Sequence, residues 1–127
     1  MSLRRAMPVP QVSDMAVSTA FWRRMGFDGE GWSDDALGGI YFTIARRGEV
    51  SVALQLLRGA IPANTHWAAY IYVADVAALR AEFVGSGLEP TEIRHPQHYG
   101  CDDFDIRDPD GHLVAFGQPR ELAAAPA

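Results

Sequence analysis

Apolar and polar positions follow two periods along this chain, and the two periods alternate twice in the same order. Met15, Ala16, Thr19, Trp22 and Met25 recur at the three- and four-residue spacing of a helix with one buried face, and so do Val76, Leu79, Phe83 and Val84. Each helical stretch opens on the same words, Val12-Ser13-Asp14 and Val73-Ala74-Asp75. A strand ends at the valine, and the aspartate caps the helix by accepting from its free N–H groups. Gly26 and Gly87 close the two helices. Strand-like runs come next: Ile40–Ala45 and Val50–Leu57 in the first half, Asp103–Arg107 and Leu113–Gly117 in the second. Arg46-Arg47-Gly48-Glu49 and Asp108-Pro109-Asp110-Gly111 join them and have the composition of tight turns.

The two halves are copies. Val12/Val73, Asp14/Asp75, Ala16/Ala77, Ala20/Ala81 and Gly26/Gly87 match at a constant offset of 61. Each half reads strand, helix, then two or three strands, too little to close a core alone, so the halves must pack together. This predicts an α+β domain over residues 5–118, with a first module at about 5–58, a linker at 59–65, a second module at about 66–118 and a flexible tail at 119–127.

The wording of the motifs is more specific than their periodicity. Val12-Ser13-Asp14 with Ala20-Phe21-Trp22-Arg23-Arg24-Met25-Gly26-Phe27, then Tyr72-Val73-Ala74-Asp75-Val76, then Asp108-Pro109-Asp110-Gly111-His112-Leu113-Val114, resembles the vicinal-oxygen-chelate superfamily of glyoxalases, bleomycin resistance proteins and dioxygenases. The resemblance covers roughly residues 5 to 118, with the DPDG turn its most specific part. It implies a fold of two βαβββ modules and a homodimer in which two open half-barrels commonly build each cavity between subunits.

Enzymatic members of that superfamily commonly hold a divalent metal with His and Glu side chains, and counting from the motifs carries those positions to Met7, Gln55, Ala68 and Ala115. None is an anionic or imidazole ligand, whereas a metal needs at least about three such groups. No metal and no other cofactor is therefore expected. His66, two residues before Ala68, is the one histidine that shares its strand face. The bland account of His66, a polar residue at a linker boundary, is preferred.

Side-chain alternation then divides the strands. Leu54, Leu56, Ile71, Val73, Phe104, Ile106, Val114 and Phe116 form an apolar set for the core, and the opposite parity lines a cavity. There Tyr70 and Tyr72 can stack on a planar or cationic ligand, and Asp103 and Asp105 can pair with a positive group. Gln55 shares that face, and Trp32, Trp67 and Tyr99 lie where loops can close over it. These eight are the candidate ligand-binding residues. No catalytic residue is assigned, because no nucleophile, base and orienting group can be read from spacing. His112 is expected at a surface turn, and His95 and His98 fall in a stretch broken by Pro90 and Pro96 with no role assigned.

Composition narrows the partners. With 48% hydrophobic residues among 127 the chain can bury one ordinary core. The single cysteine, Cys101, cannot form an internal disulfide. No apolar run approaches the roughly 18 residues of a membrane span and the start lacks a hydrophobic leader, so a cytoplasmic location without membrane partners is expected. A net charge of −5, with eleven dispersed arginines and no lysine, argues against nucleic acid and is compatible with a cationic ligand. The expectation is a metal-free binding protein resembling the bleomycin resistance proteins, which sequesters a cationic or aromatic compound without turnover. The alternative is a glyoxalase- or dioxygenase-type enzyme with a non-standard metal or acid–base site, and a third reading is a partner module whose cavity is filled by its own side chains.

Overall fold

The computed structural model describes residues 1–63, 66–96 and 98–120. The first half contains β1 (Gln11–Val12), α1 (Met15–Arg24), β2 (Asp28–Asp34), a 3-10 turn, β3 (Gly39–Arg47) and β4 (Val50–Leu56). The second contains β5 (Trp67–Tyr72), α2 (Val76–Gly85), β6 (Cys101–Arg107) and β7 (Leu113–Pro119). Their sheets run β1-β4-β3-β2 and β5-β7-β6, with the first strand parallel to the last in each. The second sheet has a remnant of the strand corresponding to β2: Arg94 bridges Asp103, and the Thr91 N–H donates to the Asp105 carbonyl.

Both helices start and stop as the repeat predicts. The Asp14 carboxylate accepts from the Val17 N–H at 3.1 Å and Asp75 from Ala78 at 3.0 Å. At the other end Gly26 and Gly87 take φ of +85° and +82°, which lets the next residue's N–H reach back to Trp22 and Phe83 respectively. Those next residues, Phe27 and Leu88, then enter the core. Two helix-face assignments need correction. In α1 the buried stripe is Met15, Ser18 and Trp22, continuing to Met25, while Ala16 faces solvent. In α2 the stripe Val76, Leu79, Phe83 leaves Val84 49% exposed, one position past the contact line.

One hydrophobic cluster spans both halves, joining Trp22, Phe27, Val52 and Leu54 to Phe83, Phe104, Ile106 and Phe116. Phe83 sets its ring edge against Phe104 and Phe116, which stack on each other at 5.4 Å. All eight strand residues assigned to the core belong to this cluster or pack on it. Polar ties cross the same junction. Asp110 accepts from the Ser13 N–H and hydroxyl, and Arg47 and Glu82 form a two-bond ion pair at 2.6 and 2.8 Å.

His112, expected at the surface, is 4% exposed. The DPDG turn folds it inward until its Nε2 meets the Gln11 carbonyl at 2.7 Å, fastening the second half to β1. β2 is a strand that periodicity does not reveal. Every residue of Asp28–Asp34 is exposed, and the segment is held by backbone pairing with β3. The expected tail begins within the sheet, where β7 runs to Pro119 and the Arg120 N–H donates to the Gly100 carbonyl; residues 121–127 of it, and 64 and 65 of the expected linker, lie outside the described residues. No helix among the described residues is long and apolar enough to cross a membrane.

Candidate functional site

The open face of the second sheet, opposite its helix, carries an aromatic wall over a buried ionic cluster. Tyr70 and Tyr72 leave this face of β5, Asp103 and Asp105 leave it from β6, and Gly117 of β7 lies between them. The Tyr70 hydroxyl donates to Asp103 Oδ2 at 2.9 Å and the Tyr99 hydroxyl donates to the same oxygen at 2.7 Å. From the outer edge of the sheet Arg94 donates through Nε to Asp103 Oδ1 at 3.2 Å and through Nη2 to Asp105 Oδ2 at 2.7 Å. Asp103 is 0% exposed and Asp105 3%. The positive group expected to pair with the two aspartates is thus the protein's own Arg94.

Burial, then the contacts with Cys101 and Asp103, pushes the Tyr70 phenol well above its ordinary value. Burial and the bond to Asp103 push Tyr99 up to about 12. Arg94 is also held above the guanidinium value, because its bonds and charge contacts with Asp105 and Asp103 outweigh the opposing effect of burial. The cluster therefore offers neither a free carboxylate nor a phenolate near neutrality.

Trp67 sits edge-on to Tyr70 and Tyr99 at 4.6 and 5.6 Å, and Tyr72 flanks Tyr70 at 5.4 Å. Trp67, Tyr72 and Tyr99 remain exposed. Trp32 and Gln55 lie on the first sheet instead. Trp32 stands across the β2–β3 ladder from Phe42 at 5.9 Å, and Phe42 is itself opposite Gln55. Six of the eight predicted residues thus meet in the second half, and two line the open face of the first. Arg94 and Gly117 were missed: an exposed loop arginine gives no periodic signal, and a strand glycine declares its role only when a neighbour crosses it.

Among the described residues, cavities lie along the seam between the two halves, and two of them touch predicted site residues on the open faces. One, of about 860 Å³, runs between Tyr70 and Tyr72 on one side and Arg5, Met7, Arg46 and Ser51 on the other. The second, of about 310 Å³, brings Gln55 and Ala68 together beside Pro10 and His112. His95 lies apart from both, holding Asp102 at 2.8 Å together with Arg120, and these two neighbours lower the Asp102 carboxyl below its ordinary range. His98 is exposed with its ring against Tyr99.

Residues 8–116 match the family profile described as the Glyoxalase/Bleomycin resistance protein/Dioxygenase superfamily. The chain belongs to this superfamily. No curated protein matches it. Among solved structures it is similar to the bleomycin-binding protein of bleomycin-producing Streptomyces verticillus in complex with copper(II)-bleomycin, at 25% identity and a TM-score of 0.75, over 95% of this chain and 99% of that one. It is also similar to a transposon-encoded bleomycin resistance determinant (20% identity, TM-score 0.75, 94% and 100% covered). A fosfomycin resistance protein from Listeria monocytogenes shares the fold at 13% identity (TM-score 0.70, 96% and 98% covered).

Some superfamily members hold a metal, and the residues here do not fit one. Met7, Gln55, Ala68 and Ala115 supply no anionic or imidazole donor. Among the described residues no three His, Cys, Asp or Glu are grouped to hold an ion. His66 is exposed at the start of β5, and His112 already spends Nε2 on a backbone carbonyl.

Proposed function

We propose that this chain is a metal-free small-molecule binding protein that sequesters an aromatic or cationic compound without turnover and works as a homodimer. The observation that carries this reading is an exposed aromatic wall whose ionic groups are already satisfied by one another. Stacking is available there, whereas a general base or nucleophile is not. Trp67, Tyr70, Tyr72 and Tyr99 provide the wall, Asp103 and Asp105 act from behind it, and Trp32 and Gln55 line the open face of the first sheet. The bleomycin-bound relative makes bleomycin a suitable first probe.

Exposed Trp32, Leu37, Ile40 and Tyr41 cluster on the β2–β3 hairpin and support its use as an apolar contact between two copies. Calorimetric titration with bleomycin, followed by mass spectrometry of the recovered compound, tests the function. Saturable binding near one ligand per site with unaltered compound is the expected result. Conversion of excess compound by substoichiometric protein would overturn it. Light scattering across a dilution series tests the dimer, and a monomer at all concentrations would remove it.

A further inference from the structure

We infer that the aromatic wall selects a planar ligand that donates a neutral N–H hydrogen bond, because Asp103 holds both phenolic protons of Tyr70 and Tyr99. The inference rests on the aromatic-binding reading and narrows its ligand class. A phenol carries one proton and accepts through its lone pairs. Both hydroxyls donate to the same Oδ2 of Asp103, at 2.9 and 2.7 Å, so toward a ligand each oxygen can only accept. The carboxylate itself is 0% exposed and its other oxygen takes the Arg94 Nε–H, so no ligand group competes for it directly.

Arg94 stands on the far side of the carboxylate from Tyr70. Its guanidinium approaches β6 from the outer edge, whereas Tyr70 reaches Asp103 from the opposite side, across β7. With burial and Asp103 raising both phenols, neither ionises near neutrality, and the direction of donation is preserved. The charge of the adjoining cavity selects further. Arg5 and Arg46 outnumber Glu49 beside Tyr70 and Tyr72, which disfavours a full cation and leaves a ring N–H as the matching donor.

Indole and benzofuran test this directly, since they share shape and stacking area and differ in an N–H against an ether oxygen. NMR titration of the full chain with each should show indole bound about 3- to 10-fold more tightly, the range of one neutral hydrogen bond. Tyr99→Phe should weaken indole and leave benzofuran unmoved. Asp103→Asn, whose amide can itself donate to a phenolic oxygen, should bring the ratio toward one. Equal affinities in the wild type, or a ratio unchanged in both Tyr99→Phe and Tyr70→Phe, overturns donor selection while leaving aromatic binding intact. If neither compound shifts the signals of Trp67, Tyr70 or Tyr99, the aromatic-binding reading falls and this inference with it. Should Asp103→Asn not fold, Tyr99→Phe and Tyr70→Phe together decide.

Discussion

The Tyr70 hydroxyl rests on the backbone of Gly117, where a Cβ would lie 2.0 Å from the phenolic oxygen and 2.6 Å from Cζ. Gly117 stands opposite Asp103 in the β6–β7 ladder. The missing side chain is therefore the passage through which Tyr70 crosses β7 to reach its carboxylate.

Gly117→Ala should displace the Tyr70 ring and break its bond to Asp103. The cost is about 1–3 kcal/mol, from overpacking and a weakened buried carboxylate. Urea denaturation of a double-mutant cycle checks the assignment. In a Tyr70→Ala background the same glycine substitution should cost almost nothing. An equal cost in both backgrounds would place the effect in the backbone of β7 instead.

Tyr99 gives the cluster an alkaline signature. Its folded value, pushed up to about 12, lies above the unfolded phenol's value of about 10. The folded state therefore keeps a proton that the unfolded state releases. This stabilisation is fully present below about pH 10 and is lost as pH rises toward 12. Thermal unfolding between pH 9 and 12 should show a steeper fall in Tm for the wild type than for Tyr99→Phe. Parallel curves would detach Tyr99 from the buried carboxylate.

Arg94 is the sole cation bonded to two almost fully buried aspartates among the described residues. Its removal leaves both carboxylates without a counter-charge, and because solvent screens the half-exposed guanidinium, Arg94→Met should cost about 1.5–3 kcal/mol at pH 7. Chemical denaturation of the wild type, Arg94→Met and Arg94→Lys at pH 7 measures this, and Arg94→Lys, which keeps a positive charge, should recover part of the deficit. A deficit as large in Arg94→Lys as in Arg94→Met would mean that Arg94 acts through packing and the shape of its guanidinium rather than through charge.

Sequence reasoning succeeded where one residue's chemistry decides local structure. Asp14, Asp75, Gly26 and Gly87 carry their capping roles whatever surrounds them, and the buried parity of β4, β6 and β7 follows from alternation. It failed where the deciding partner is distant in the chain. Nothing local to Asp28–Asp34 signals a strand, because β3 supplies its bonds. His112 reads as a turn residue until Gln11, 101 positions away, accepts from it. The site divides in the same manner. Alternation brings Tyr70, Tyr72, Asp103 and Asp105 to one face, but the charge that neutralises the aspartates comes from a loop.

Arg47 links the two halves by contacts of unequal kind. Its guanidinium passes over Gly26 to donate to the Met25 carbonyl at 2.8 Å, capping α1, and also forms the ion pair with Glu82 of α2. The bond to Arg47, against the opposing effect of burial, lowers Glu82, so the pair stabilises above the carboxylate range and is lost as pH falls through it. Both side chains are more than a third exposed, which screens the pair to about 1 kcal/mol or less. Glu82→Gln should therefore cost little, and only above about pH 4, the unfolded glutamate's range. Arg47→Ala should cost roughly 1 kcal/mol more, because it also strips a helix carbonyl of its donor. Equal losses for the two substitutions in urea titrations at pH 7 would show that the ion pair, rather than the helix cap, makes Arg47 matter at the junction.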